Sequence, residues 1–422
     1  MKKPIIGFVG LSHLGICSLI SLASKNYKVI GFDFSLRKIN KLNNNLLHID
    51  EPYLEVMLNK FNKNIEFTDN FSSIKNCDIV YLSEDVITKK SGKSDLSVLK
   101  KYVKAILKNI NKNSYLVIHS QVPPSFTRKI NFEKNKLFYQ VETLIIGNAV
   151  NRALKPERII LGTNNLKINK NSKFYLFLKH YNCPIVSMNY ESAELAKISI
   201  NMMLIANIST ANKLSEICEK IGANWIDIVP SLKMDKRIGK NSYINTGLGL
   251  SGGNLERDLY NSIDLCDHYK LDKSLFNSYV KNSILNKNWP YTKFLENKKY
   301  INKKINIGII GVTYKINTNS IKNSPSIYLI KKLTHKKIEY YDPNKEVYNN
   351  KFLVRTKNIK DIFINSDVIF VMLHYKELLN LNKIFFNSLI GKKIIIDPFA
   401  IFKNYNFNKK KIKYIYKGNS LR

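Results

Sequence analysis

Ile5-Ile6-Gly7-Phe8-Val9-Gly10-Leu11-Ser12-His13-Leu14-Gly15 is the stretch whose reading decides the fold. A short apolar run bounded by a turn signal reads as a buried strand, and it ends on a glycine, the residue a tight turn needs. Helical text follows Gly15, and a second apolar run, residues 28–32, ends at Asp33, eighteen residues after Gly15. Strand, glycine turn, helix, strand and acid in this order form the layout of a βαβ dinucleotide-binding unit. Gly10 allows the tight turn, Gly15 allows close helix–strand approach, and the helix start through Leu14 holds a pyrophosphate. Ser12 stands where the middle glycine is usual and puts a side chain where backbone meets phosphate, so a looser fit is expected. Asp33 can accept a hydrogen bond from a ribose 2′-hydroxyl, and its charge repels a 2′-phosphate. The expected cofactor is therefore NAD, with Gly10, Ser12, Leu14, Gly15 and Asp33 as its candidate contacts.

Outward from that unit the pattern repeats. Apolar runs at 78–82, 115–118 and 158–162 alternate with amphipathic stretches, which predicts a parallel sheet with helical crossovers. Residues 191–222 carry a long 3.6-period pattern ending in glycine, and more helical text surrounds a glycine-rich loop at 247–253. Strand–turn–helix alternation returns with runs at 305–310, 338–341, 368–373 and 393–396. The expected fold class is α/β: two Rossmann-like, doubly wound parallel-sheet domains joined by a central helical domain with a long helix. The boundaries expected are 1–190, 191–296 and 297–422, with the Lys/Asn-rich stretch 297–304 as linker. The two α/β ends echo each other, since each opens with an apolar strand running into a glycine.

Composition narrows the function classes. A chain of 422 residues with 44% hydrophobic and 24% charged residues is globular rather than disordered or fibrous. No apolar run approaches the roughly 18 residues a membrane span needs. The start, Met-Lys-Lys, is followed by a strand and not by a cleavage site, so a cytoplasmic protein is expected. Five scattered cysteines form neither a zinc site nor a disulfide framework, and no metal is expected. The formal charge is +36, yet only eight of the 68 basic residues are arginine. Nucleic-acid surfaces recruit arginine and interleave aromatics. Here lysine accompanies asparagine and isoleucine in every segment, which reads as a diffuse solvated surface and not as a nucleic-acid or membrane site. It also suits capture of an anionic small substrate.

Several further motifs, in order along nearly the whole chain, resemble those of the UDP-glucose/GDP-mannose dehydrogenase family. Glu51-Pro52-Tyr53-Leu54 is similar to the family's Glu-Pro-Gly-Leu, and Ser120-Gln121-Val122-Pro123 to its Ser-Thr-Val-Pro. Gln140-Val141-Glu142-Thr143-Leu144 with Gly147 resembles Asn-Pro-Glu-Phe-Leu-Arg-Glu-Gly, and Pro156-Glu157-Arg158 resembles Pro-Asp-Arg. Glu194-Leu195-Ala196-Lys197 with Asn201, Arg237-Ile238-Gly239, and Gly311-Val312-Thr313-Tyr314-Lys315 with Thr318, Ser324 and Pro325 fit the central helix and the start of the last domain. The resemblance implies oxidation of the C6 alcohol of a nucleotide sugar to a carboxylate, by two hydride transfers to NAD with a cysteine trapping the aldehyde. It also implies a homodimer built on the central helices.

The family's Gly-Phe-Gly-Gly-Ser-Cys-Phe-Pro-Lys-Asp corresponds to Gly249-Leu250-Ser251-Gly252-Gly253-Asn254-Leu255-Glu256-Arg257-Asp258. Asn254 thus holds the nucleophile position, and an amide has no thiolate to add to a carbonyl. Cys266, twelve residues on, is the nearest cysteine. Under the resemblance Lys197 stabilises an alkoxide or hydrate oxyanion, Asn201 holds a water or hydroxyl, Asp258 orients that water or takes a proton, and Glu142 serves as acid or base. Arg237, Lys315, Gly249 and Gly252 are the candidate substrate contacts. Glu84-Asp85-Val86-Ile87 replaces the family's Val-Pro-Thr-Pro and brings negative charge towards the pyrophosphate path. Three readings stay open: a dehydrogenase with an impaired or altered second step, an inactive homologue that binds nucleotide sugar or NAD as a regulatory or assembly partner, and a reversible oxidation serving epimerisation.

Overall fold

The structure, a computed structural model, describes residues 3–88, 94–166, 168–301, 304–333, 337–344 and 352–419. Backbone contacts divide the chain into two compact units, Met1–Ile200 and Asn201–Arg422, and the division falls inside one long helix.

The first unit contains strands β1 (Ile6–Val9), β2 (Val29–Phe32), β3 (Ile65–Thr68), β4 (Ile79–Leu82), β5 (Ile87–Thr88), β6 (Ser94–Asp95), β7 (Tyr115–Ile118), β8 (Leu137–Gln140), β9 (Ile159–Thr163) and β10 (Ile185–Asn189). Its helices are α1 (His13–Ser24), α2 (Leu36–Asn43), α3 (Leu54–Phe61), α4 (Ser97–Asn109), α5 (Ala149–Leu154), α6 (Lys173–Lys179) and the start of α7 (Tyr190–Ile221). Eight strands form one sheet in the order β10-β9-β8-β7-β4-β1-β2-β3, while β5 and β6 pair with each other. β1 and β4 are buried at every position, as central strands of a sheet covered on both faces must be. Alternate residues feed two apolar layers. Ile6 and Phe8 join the layer beneath α1, and Val9 joins Val80 and Leu82 in the layer that includes Tyr190 and Ala193 of α7.

One step of this sheet departs from the expected parallel arrangement: β8 and β9 are antiparallel, with Tyr139 opposite Gly162. The only helix between them, α5, has six residues and is about 9 Å long, too short to carry the chain back along a strand. It packs against α1 instead.

The second unit holds the rest of α7, then α8 (Trp225–Met234), α9 (Asn254–Tyr269), α10 (Ser274–Asn297), β11 (Ile307–Ile310), α11 (Pro325–Lys332), β12 (Ile338–Tyr341), β13 (Leu353–Arg355), α12 (Ile359–Asn365), β14 (Val368–Val371), α13 (Lys383–Ser388), β15 (Lys393–Asp397) and β16 (Ile412–Tyr416). Its six strands run in the order β13-β12-β11-β14-β15-β16, all parallel. Counted within the unit that is 3-2-1-4-5-6, the doubly wound Rossmann order. The helical part has small cores of its own, one around Ala211, Cys218, Trp225 and Ile244, another around Ile205, Leu250 and Leu259. Of the expected linker, Asn297 ends α10, a 3₁₀ turn covers Lys298–Tyr300, and residues 302–303 lie outside the described residues. Met1 and Lys2 of the chain start also lie outside them.

Candidate active site

In the first unit the chain leaves β1 towards β2 and β3 and returns on the other side as β4, so a crevice opens at the carboxyl ends of β1 and β4. Gly10 stands at that end of β1 with φ +93°. A side chain there would meet the backbone of Glu84 at 2.7 Å. At Gly15 a Cβ would lie 2.1 Å from the Gly10 carbonyl oxygen, so α1 can start this close to β1 only with glycine.

Ser12 behaves differently from the expectation. Its hydroxyl donates to the Ser83 carbonyl at 3.0 Å and accepts from the Asp85 amide at 2.9 Å. It thereby ties the glycine turn to the loop after β4. Ser12 is the N-cap of α1 but its side chain does not cap it, so its hydroxyl leaves the first-turn amides, the groups that bind an anion, open. Leu14 is buried in the core, which leaves its backbone amide as the group it can offer.

Asp33, 2% exposed, is already engaged. Its Oδ2 accepts from the Leu11 amide at 3.0 Å and from Lys38 Nζ at 2.9 Å, and its Oδ1 accepts from the Ser35 amide at 2.9 Å. Carboxylate oxygens have further acceptor capacity, so a ribose hydroxyl can still be taken. The close glycines, the uncapped helix start and the buried acid after β2 fit a dinucleotide. Glu84, half-buried after β4, is discordant.

Two acids of the family-like motifs act as braces. Glu51 is buried and accepts from the Gly147 amide at 2.9 Å and the Ala149 amide at 2.7 Å, capping α5, while His13 Nε2 lies 2.9 Å from it. Glu194 accepts from the Ser125 and Thr127 amides at 2.6 and 2.8 Å, and burial raises its carboxyl to about 7. Three residues beyond it on α7, Lys197 Nζ lies 3.0 Å from Glu142 Oε2, with side chains 11% and 15% exposed. Glu142 also accepts from the Leu144 amide, which fixes its carboxylate in the loop after β8. Sequence reasoning missed His119, a buried ring whose Nδ1 lies 3.0 Å from the Gln140 carbonyl. Burial pushes its imidazole below the ordinary range, and the Glu142 and Lys197 charges act on it with opposite signs. No motif spacing marks that histidine.

In the second unit Asn201 Nδ2 donates to Oδ2 of the fully buried Asp258, and Arg257 Nε lies 3.5 Å from Oδ1. Asn254 is the first residue of α9, exposed and preceded by the N-cap Gly253. Cys266 is buried further along the same helix. Gly249 and Gly252 take φ +78° and +75°, and a Cβ on Gly252 would meet the Tyr314 ring at 2.7 Å. Lys315 is half-buried, its Nζ 5.7 Å from that ring's centroid. Polar groups pin the glycine loop along its length: the Gly247 amide on Asn212 at 3.0 Å, the Leu250 amide on Ser283 at 2.9 Å, and the Leu250 carbonyl on Asn323 at 3.3 Å. Arg237 stands apart, its side chain 89% exposed and paired with Asp235 at 2.6 Å.

A buried acid also escaped the sequence reading. Asp342 follows β12 and accepts from the Val312 and Thr313 amides at 2.8 and 3.2 Å and from the Tyr375 hydroxyl at 3.2 Å. The signal was present: β11 runs into Gly311 as β1 runs into Gly10, and an acid ends the next strand in both.

Comparison with known proteins shows the family. Residues 4–176 match the NAD binding domain of the UDP-glucose/GDP-mannose dehydrogenase family, residues 191–283 its central domain, and residues 308–404 its UDP binding domain. The chain is 30% identical over 433 residues to a UDP-glucose 6-dehydrogenase of Rickettsia typhi, covering 99% of this chain and 100% of that one. It is 28% identical to a UDP-N-acetyl-D-mannosamine dehydrogenase of Methanococcus vannielii, over 97% of this chain and 95% of that protein. Among solved structures it superposes on a UDP-glucose dehydrogenase from Pyrobaculum islandicum with a TM-score of 0.82 at 19% identity, over 98% of this chain and 97% of that one. With all three domains matched in order and a full-length relative at this identity, the chain belongs to the UDP-glucose/GDP-mannose dehydrogenase family of NAD-dependent nucleotide-sugar dehydrogenases.

Proposed function

We propose that this protein oxidises the C6 alcohol of a UDP-glucose-like nucleotide sugar, for surface polysaccharide synthesis, with a second oxidation that is impaired or altered. The observation that carries this reading is the retention of two ordered polar pairs, Lys197 with Glu142 and Asn201 with Asp258, while Asn254 replaces the nucleophile. The full-length relative named for UDP-glucose favours that sugar, although a relative named for UDP-N-acetyl-mannosamine is nearly as similar.

NAD, when bound, accepts the C6 hydrogen as hydride. The chain supplies the rest. Lys197 stabilises the alkoxide oxygen as the hydroxyl proton departs, and Glu142, already paired with it, takes that proton or returns it. Asn201 and Asp258 hold a water or substrate hydroxyl. In the first oxidation one C–H bond is lost as hydride and one O–H as a proton, leaving the aldehyde. Full oxidation without a thiol requires water to add to the aldehyde and the hydrate to lose a second hydride. A nucleophile splits one hard step into two easier ones, so its loss slows the second oxidation. Arg237, Lys315, Gly249 and Gly252 are assigned to the nucleotide sugar, and Gly10, Ser12, Leu14, Gly15 and Asp33 to NAD.

The same reading assigns residues 1–190 to NAD binding, 191–296 to dimerisation and 297–422 to the nucleotide sugar, in a cytoplasmic homodimer whose mass light scattering checks. No described helix is long and apolar enough to cross a membrane. The second reading, an inactive homologue that binds its ligands as a regulatory or assembly partner, draws on Asn254 and on Glu84 in the crevice.

The test is the NADH yield from purified protein with NAD and limiting UDP-glucose. One NADH per sugar supports arrest at the aldehyde, and a slow second equivalent supports the hydrate route. No NADH, with UDP-glucose binding retained, favours the inactive homologue.

A further inference from the structure

The crevice between β1 and β4 contains an acid for which the proposed reaction has no use. Glu84 follows β4 and its backbone lies within contact of where a Gly10 side chain would be. The loop that carries it is fixed, because Ser12 bonds the residues on both sides, Ser83 and Asp85. The residue is half-buried, and its Oε2 is out of solvent with no hydrogen-bond partner among the described residues. An ionised carboxylate is not stable in that condition without a compensating donor or cation. Among the described residues, four charged or titratable groups act electrostatically with it: Asp33 at the end of β2, Asp85 on its own loop, Lys38 on α2 and Tyr102 on α4. The one cation of this set, Lys38, is already bonded to Asp33. A dinucleotide would bring two phosphate charges to the same crevice.

We propose that Glu84 must be neutral for the dinucleotide to occupy the crevice, so that NAD binding to this chain takes up one proton. The proton comes from solvent and remains on the Glu84 carboxyl, where it turns an unpaired acceptor into a hydrogen-bond donor. The crevice is poised for this: burial, with Asp33 and Asp85 acting in the same direction, raises the Glu84 carboxyl to about 7, against the opposing pull of Lys38. Below that pH the site is ready. Above it, each unit of pH costs about tenfold in affinity, since the proton must be supplied before binding. The inference rests on Gly10, Gly15 and Asp33 framing the NAD site.

The experiment is calorimetric titration of NAD alone into the full chain at pH 6 and pH 8, each in two buffers of different ionisation enthalpy, for the wild type and Glu84→Gln. The wild type is expected to bind about tenfold more weakly at pH 8 and to take up close to one proton there. Glu84→Gln, an isostere of the neutral acid, is expected to bind equally at both pH values, near the wild-type affinity at pH 6, without proton uptake. Wild-type binding that ignores pH overturns the inference, as does a Glu84→Gln protein that keeps the pH dependence or folds but no longer binds. Failure of both proteins to bind NAD at either pH overturns the assignment of the crevice itself.

Discussion

Asn254 occupies the first helical position of α9, where unpaired amides and the helix dipole favour negative charge. A thiol placed at such a position ionises more readily than a free one. Asn254→Cys is therefore expected to speed the second oxidation by about tenfold or more, with the first hydride transfer little changed. Rapid-mixing measurement of NADH formation from the isolated aldehyde checks this; no gain would mean that the loop is misassigned. Asn254 was legible in the sequence because glycine neighbours fix its register, and the structure places it at a helix start. The partners of the Ser12 side chain were not legible. Its hydroxyl direction is set by Ser83 and Asp85, more than seventy residues away, and spacing within a motif contains no such information.

Among elements, strands and helices with a strong apolar period were the readable ones: the long helix expected at 191–222 is Tyr190–Ile221, and the run at 115–118 is β7. β13 and β16 were missed, being edge strands with polar residues and no sustained alternation. Tyr53 takes φ +68° where the family motif has glycine, a strained start to α3 that the motif departure alone would have flagged. Least legible was the segment after β16. One lysine among dozens gives no signal, yet Lys417 is fully buried, donating to the Gly247 carbonyl at 2.8 Å, to Asn212 at 3.0 Å and to Asn286. It fastens the chain after β16 to the start of the glycine loop. Burial lowers its ammonium to about 7, below the unfolded value, with Glu216 and Glu219 opposing the shift and Lys213 adding to it. Between those two values the unfolded chain binds the extra proton, so raising the pH through this window favours the folded state. Relative to Lys417→Met, the wild type is expected to gain stability by about 1 kcal/mol per pH unit from pH 7 to 9. Denaturant titrations of both proteins across that range measure the difference, and a constant gap would mean that Lys417 stays charged.

At the scale of the whole molecule the same device occurs twice. Gly10 and Gly311 both take φ +93°, and Asp33 and Asp342 both return from the next strand to accept the amide that follows the glycine. Each unit thus builds, from its own sequence, a glycine turn held by the carboxylate of a buried acid. Overall charge works alongside. A chain of formal charge +36, mostly lysine, surrounds itself with a positive potential that raises the local concentration of a diphosphate ligand without any dedicated basic patch. Such a field acts over about 10 Å at 0.1 M salt and is screened as salt rises, whereas a buried contact such as the Lys197–Glu142 pair is screened much less. Raising sodium chloride from about 50 mM to about 500 mM is therefore expected to weaken UDP-glucose binding threefold to tenfold, through a slower association rate, while the dissociation rate barely changes. Stopped-flow association rates at the two salt concentrations decide it. Equal rates would show that the lysines only solvate the surface and that ligand capture depends entirely on residues lining the crevices.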